Sequence, residues 1–197
     1  MSGMMTSLME LIRQIFLDIY RMSGTELIAV CIVGTMGYRA LRRKYEHRCG
    51  WRMGSVLMLL LWAAAVLLST VLGRKAGTEQ VFHVLPLHSY REVLTGGSRD
   101  ILRSNFMNIM LFFPAGLLCA GLMPRTWSYG KKLACTVLVF SALSLGIELA
   151  QFGLGLGRGE IDDVLHNTLG AMAGCLALSV EPERFAEREE GTSGTSL

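Results

Sequence analysis

Four stretches of this chain run for the length of a membrane-crossing helix with almost no charge. Between Arg52 and Arg74 lie 21 uncharged residues, and between Arg103 and Arg125 another 21. Leu133–Gly157 covers 25 residues with a single charge, Glu148, and Val164–Val180 covers 17 with none. A helix needs about 20 apolar residues to cross ~30 Å of hydrocarbon. A helix on a soluble core seldom stays uncharged for so long, because one of its faces meets water. Charged residues make up 18% of the 197, against about 25% in soluble domains. That excludes a chain held open by its charges, and the length is too short for a large soluble nucleotide-binding or barrel enzyme. The expected fold is all-α, a polytopic membrane helix bundle.

Five spans are expected, at about 22–41, 54–73, 104–124, 133–156 and 163–180. The first has only 12 uncharged residues, Leu27–Tyr38. It reaches spanning length with Glu26 and Arg39 near its ends, where long side chains snorkel to the interface. In residues 1–21, Leu8, Leu11, Ile12, Ile15, Phe16 and Ile19 fall at helical spacing among charged residues. The stripe suits an amphipathic segment lying in the membrane interface, or an extension of the first span. It lacks the basic region and long apolar run of a secretory signal. Residues 181–197 are acidic, end in Gly, Ser and Thr, and read as a disordered tail.

The basic residues set the orientation. Arg42, Arg43, Lys44, Arg48 and Arg52 crowd the loop after the first span, and Arg125, Lys131 and Lys132 the loop after the third. Positively charged short loops stay cytoplasmic, which puts the N-terminus outside and the C-terminus inside. The outer loops are then Gly73–Ser104 and the turn Gly157–Ile161. Cys31, Cys119, Cys135 and Cys175 fall in spans and Cys49 in the basic loop, so no disulfide framework is implied. No phosphate-binding glycine loop is present, and the basic residues read as topology signals rather than a nucleic-acid surface.

Polar residues inside the spans are the candidates for function. Asn105 and Asn108 lie about one turn apart on one face of the third span. Pro114 follows them, bending the helix and freeing the carbonyl of Met110. Glu148 sits about 15 residues, ~22 Å, along its span, roughly 8 Å short of the outer hydrocarbon edge. A carboxylate at that depth needs a proton or a partner; Arg74, Arg91 and Arg158 are the candidates. Gln151 is on the same face. Asp162 and Asp163 open the fifth span, where one acid would suffice to cap it. Asp163, Asn167, Gly170 and Gly174 then share a face, and the two glycines permit close helix contact. The expected picture is a hairpin of the last two spans, with Glu148 and Gln151 facing Asp163 and Asn167. Asp162 and His166, four apart, have metal-ligand character with Glu148 as a third group, but the pair alone is too little to assign a metal. His83 and His88 are too loosely spaced to add to it. No cofactor is expected.

These residues resemble a known family. The run Asn108-Ile-Met-Leu111-Phe112-Phe-Pro114-Ala-Gly116, then Glu148-x-x-Gln151, Arg158 to Asp163, and Asn167-Thr168-x-Gly170 are similar to the VanZ-like family. The resemblance covers roughly Leu72 to Val180 and takes in Val84–Tyr90, where Leu87 follows Pro86 at a place the family tends to give an aromatic. It implies a multi-pass protein of a bacterial cytoplasmic membrane, in a family named for a member linked to teicoplanin resistance. It assigns no catalytic residue.

Three functions stay open from the sequence. The first is binding of an outer-leaflet lipid, a lipid-linked cell-wall precursor or a lipoglycopeptide antibiotic. The ligand would meet the polar cluster of Arg74, Asn105, Asn108, Glu148, Gln151, Arg158, Asp162, Asp163 and Asn167, with arginines for a phosphate. The second is an intramembrane enzyme acting on a lipid phosphate or sugar headgroup, with Glu148, Asp162 and Asp163 as acid and base; no paired nucleophile and base supports it. The third is a scaffold for a partner complex. Binding is the favoured expectation.

Overall fold

The computed structural model describes residues 7, 10, 11, 14, 15, 17–19, 21–72, 81–156 and 159–179. Most of the amphipathic segment 1–21 and the tail 181–197 lie outside these residues. Among the described residues from Gly24 onward, six helices follow in order: α1 (Gly24–Tyr45), α2 (Cys49–Leu67), α3 (His88–Leu94), α4 (Asp100–Leu122), α5 (Tyr129–Gly153) and α6 (Ile161–Ser179). A wider, π-type turn continues α2 over Leu68–Leu72. Two strands of two residues each, β1 (Phe82–His83) and β2 (Gly159–Glu160), pair in parallel with Phe82 opposite Gly159. Among the described residues the fold is otherwise helical.

Each expected span overlaps one of these helices, with ends that differ by a few residues. Among the described residues three stretches are long and apolar enough to cross a membrane: Gly50–Leu67, Asp100–Leu122 and Tyr129–Gly153. The helices α1 and α6 fall outside that set. The first carries Glu26 and Arg39 within it, and the second opens with Asp162 and Asp163. The start of α1 is sharply defined. Ser23 is extended (φ −69°, ψ 157°) and forms a capping box with Glu26, so a new helix begins there.

The centre of the bundle is the contact of α4 with α6, and it rests on glycines from both helices. A Cβ at Gly170 would lie 2.1 Å from the Ile109 carbonyl oxygen, and one at Gly174 2.0 Å from that of Phe113. From the other side, a Cβ at Gly116 would lie 1.9 Å from the Ala171 carbonyl oxygen. Backbone therefore touches backbone, as small-residue helix contacts allow. The expected hairpin partner differs here: the Gly170 and Gly174 face lies on α4 and not on α5. A glycine pair marks a face that packs closely, and it leaves the partner to the rest of the bundle.

Around this centre α2 packs through Trp62, whose indole N–H donates to the Leu111 carbonyl at 2.9 Å. That carbonyl is next to the one freed by Pro114. The Trp62 ring meets Phe112 edge-on at 5.1 Å and Phe140 at 6.1 Å. Tyr38 anchors α1 by sharing a 3.2 Å hydrogen bond with Ser55. The outer faces are apolar: Val33 and Met36 of α1, Leu60 and Leu61 of α2, and Leu138 of α5 are each more than 60% exposed. Exposed apolar side chains grouped on three helices suit lipid.

The two basic loops share one end of the bundle. Arg125 pairs with Glu46 at 2.8 Å, Arg52 donates to the Leu122 carbonyl at 3.4 Å, and Arg39 donates to the Ala177 carbonyl. The other end is closed by the segment Val81–Arg99, which includes β1 and α3.

Candidate functional site

The site is built around Asp162, at the start of α6. Its side chain is 1% exposed and receives three hydrogen bonds from one short piece of chain. The Leu87 N–H donates to Oδ1 at 2.5 Å. The Ser89 N–H and hydroxyl donate to Oδ2 at 2.8 and 2.6 Å. Three donors around two oxygens suit a carboxylate. The Ser89 hydroxyl in turn accepts from the Asn105 side-chain amide of α4 at 3.0 Å. Asp162 thus ties the segment that closes the bundle to both central helices. The second acid at the helix start, more than a cap needs, has its explanation here.

Deeper in the bundle the polar side chains pair between helices. Asn108 of α4 donates to Asp163 Oδ1 at 2.7 Å. Asn167 of α6 donates to the Ser144 hydroxyl of α5 at 2.7 Å. Tyr90 of α3 and His166 Nε2 share a 2.8 Å hydrogen bond. The Gln151 amide donates to the Thr70 carbonyl at 3.0 Å, joining α5 to the turn after α2. Glu148 is 3% exposed, and its Oε2 accepts from the Glu160 N–H of β2 at 3.1 Å. The carboxyl so holds the strand that pairs with β1. Gly159 admits this approach, since a Cβ there would lie 2.4 Å from the Phe82 ring.

Above the cluster lies a pocket of about 380 Å³ lined by Val81, His83, His88, Arg91, Glu92 and Thr95. The imidazoles of His83 and His88 stack at 4.1 Å with 19° between their planes. Arg91 stands on α3 beside them. The pocket wall is one face of the tied segment; its other face carries Ser89 into the bundle and brings the Tyr90 hydroxyl to His166.

The expected residues therefore separate into groups. Asn105 and Asp162 meet at Ser89; Asn108 meets Asp163; Glu148, Gln151 and Asn167 make their bonds to β2, Thr70 and Ser144. The hairpin expectation holds for α5 beside α6, but Asp163 turns to α4, and Glu148 and Gln151 bond backbone rather than Asp163 or Asn167. Arg74 and Arg158 lie outside the described residues. Among the described residues no three His, Cys, Asp or Glu side chains gather as a metal site, and both oxygens of Asp162 are engaged by donors. Ser89, Tyr90 and Ser144 were not among the candidates. Ser89 and Tyr90 lie on a helix of seven residues, too short for a period to mark them. Ser144 has such a mark: it lies four residues before Glu148 and continues the face of Glu148 and Gln151.

Comparison with curated proteins gave no match, and comparison with solved structures gave none. A family model described as VanZ/LLP1 matches residues 55–180. The matched span runs from α2 to the end of α6 and holds every hydrogen bond of the site. The apolar helices, their exposed apolar faces and this match agree: the chain belongs to the VanZ/LLP1 family, and its fold is that of a membrane protein.

Proposed function

We propose that this is a five-span protein of the bacterial cell envelope that binds the anionic headgroup of an outer-leaflet lipid or lipid-linked cell-wall precursor. The N-terminus is outside and the C-terminus cytoplasmic, so that the basic loops face the cytoplasm. The observation that carries the reading is the pocket of His83, His88 and Arg91, at the end opposite those loops. An arginine with two imidazoles offers N–H donors of the kind a phosphate takes. Arg74 and Arg158 belong to the same reading as further cations for the headgroup. The Asp162 and Glu148 bonds support it by fixing the two segments that border the pocket. A lipoglycopeptide, being amphipathic and membrane-associated, would meet the same end of the bundle, and a contribution to teicoplanin-type resistance is the expected phenotype of such binding.

The alternative, an enzyme using Glu148, Asp162 and Asp163, draws less support. Asp162 is taken up by three donors, and Glu148 and Asp163 each have a partner within the fold. Mass spectrometry of the protein in nanodiscs with polyprenyl-linked precursors distinguishes the two. A lipid retained at unchanged mass by the wild type and lost in Arg91→Ala supports binding. Equal retention by both proteins overturns it. A lipid whose mass changes only with the wild type makes the protein an enzyme.

A further inference from the structure

Beside the pocket the chain carries four consecutive apolar residues, Val84, Leu85, Pro86 and Leu87, on the outside of the molecule. Val84 is 67% exposed, Leu85 66% and Leu87 61%. We infer that this loop is a membrane anchor, seated in the interfacial region of the bilayer at its own end of the bundle. The inference does not depend on the headgroup reading.

Three observations carry it. First, the loop is held outward. β1 pairs with β2 on one side, and Asp162 takes the N–H groups of Leu87 and Ser89 on the other. Leu87 itself adopts φ 64°, ψ 19°, a left-handed conformation unusual for a residue with a side chain. Strain of that kind persists where the surrounding structure enforces it, and here it keeps the leucine out of the core. Second, α6 carries exposed leucines on the side that holds the loop. Leu165 and Leu169 of α6 are 40% and 50% exposed, three and seven residues after Asp162 and so on its side of the helix. An apolar strip therefore climbs α6 to the residue that grips the loop. Third, the loop is amphipathic as interfacial segments are. His83 and His88 flank the apolar run, Arg91 follows it, and the half-exposed Tyr90 stands at its base, a residue type enriched at membrane interfaces. The occupant that fits all three is lipid at headgroup and upper acyl depth.

An environment-sensitive fluorescent amino acid placed at position 85, and separately at position 84, tests this without using the five native cysteines. The protein is reconstituted in phosphatidylglycerol–phosphatidylethanolamine vesicles, with retained helix content as the folding check. The same label at Ser98, an exposed position, is the reference. The expected result is blue-shifted emission at 84 and 85, quenched by lipid carrying a shallow nitroxide and barely by aqueous iodide, with the reverse at 98. Emission at 84 and 85 that matches position 98 and is quenched by iodide overturns the inference. Shielding from both quenchers, as under a protein partner or a second copy, overturns it too. Equal headgroup retention by the wild type and Arg91→Ala, with lipid quenching kept at position 85, overturns the headgroup reading and leaves this one standing.

Discussion

Gly170→Ala tests the backbone contact between α4 and α6. The added methyl would lie 2.1 Å from the Ile109 carbonyl oxygen and 2.8 Å from its carbon. Ordinary contact begins near 3.4 Å, so the deficit exceeds an ångström. The atoms it meets belong to backbone, which cannot rotate aside as a side chain does. The two helices must part or slide instead. A radial gap of about 0.5–1 Å forfeits a quarter to a half of each atom pair's attraction, at ~0.1–0.2 kcal/mol per pair. Spread over the tens of pairs along α4 and α6, and added to the usual overpacking cost of about 1–3 kcal/mol, the loss comes to about 3–5 kcal/mol. Gly146→Ala is the control. It is also helical, a Cβ there meets nothing within 4 Å, and alanine for glycine in a helix gains about 0.5–1 kcal/mol. Reversible unfolding in mixed micelles, followed by circular dichroism, measures both. Gly170→Ala should fall well below the wild type and Gly146→Ala at or above it. Adding Gly116→Ala to Gly170→Ala should cost less than the two singly, because helices already parted have room for the second methyl. Equal stability of the Gly170 and Gly146 variants would refute the reasoning.

Asp162→Asn replaces an acceptor-only group by one that also donates, and so removes bonds from Leu87 and Ser89. Hydrogen bonds to a charged group are worth about 1.5–3 kcal/mol each, and amide exchange at those two residues should rise roughly 10–100-fold, with α4 and α6 unchanged; exchange at the wild-type rate would mean that the carboxylate does not hold the segment. Asn108→Leu and Asp163→Leu, singly and together, should show a coupling of about 0.5–2 kcal/mol in the same unfolding assay, the scale of interhelical hydrogen bonds in membranes; additive losses would deny the 2.7 Å bond an energetic part. Ser144→Ala leaves the buried Asn167 amide without its acceptor and should cost about 1–3 kcal/mol, whereas Ser141→Ala, whose hydroxyl bonds only carbonyls of its own helix, should stay within about 0.5 kcal/mol of the wild type.

The different legibility of the helices and the site has a physical origin. A span is a local property: 21 residues without charge satisfy their own backbone groups as a helix and need no partner to do so. The polar residues inside the spans were legible for the same reason, since apolar surroundings make Asn108, Glu148 and Asp163 conspicuous. What joins them is not local. Asp162 finds Ser89 73 positions away, and Asn108 finds Asp163 55 positions away. The spacing of Gly170 and Gly174 shows that a backbone approaches there, and Gly116 on α4 shows which one only when the fold brings the two together. The segment Val81–Arg99 reads in the sequence as an outer loop because its helix has seven residues and its strand two, too short for any period to emerge. Yet that segment supplies Ser89 to the interior, Tyr90 to His166, and His83, His88 and Arg91 to the pocket. Its order comes from side chains of the long helices, above all from one buried carboxylate. The extra acid at the start of α6 was therefore the trace in the sequence of a structured loop: a helix start needs one cap, and the surplus charge must be answered by donors from elsewhere in the chain.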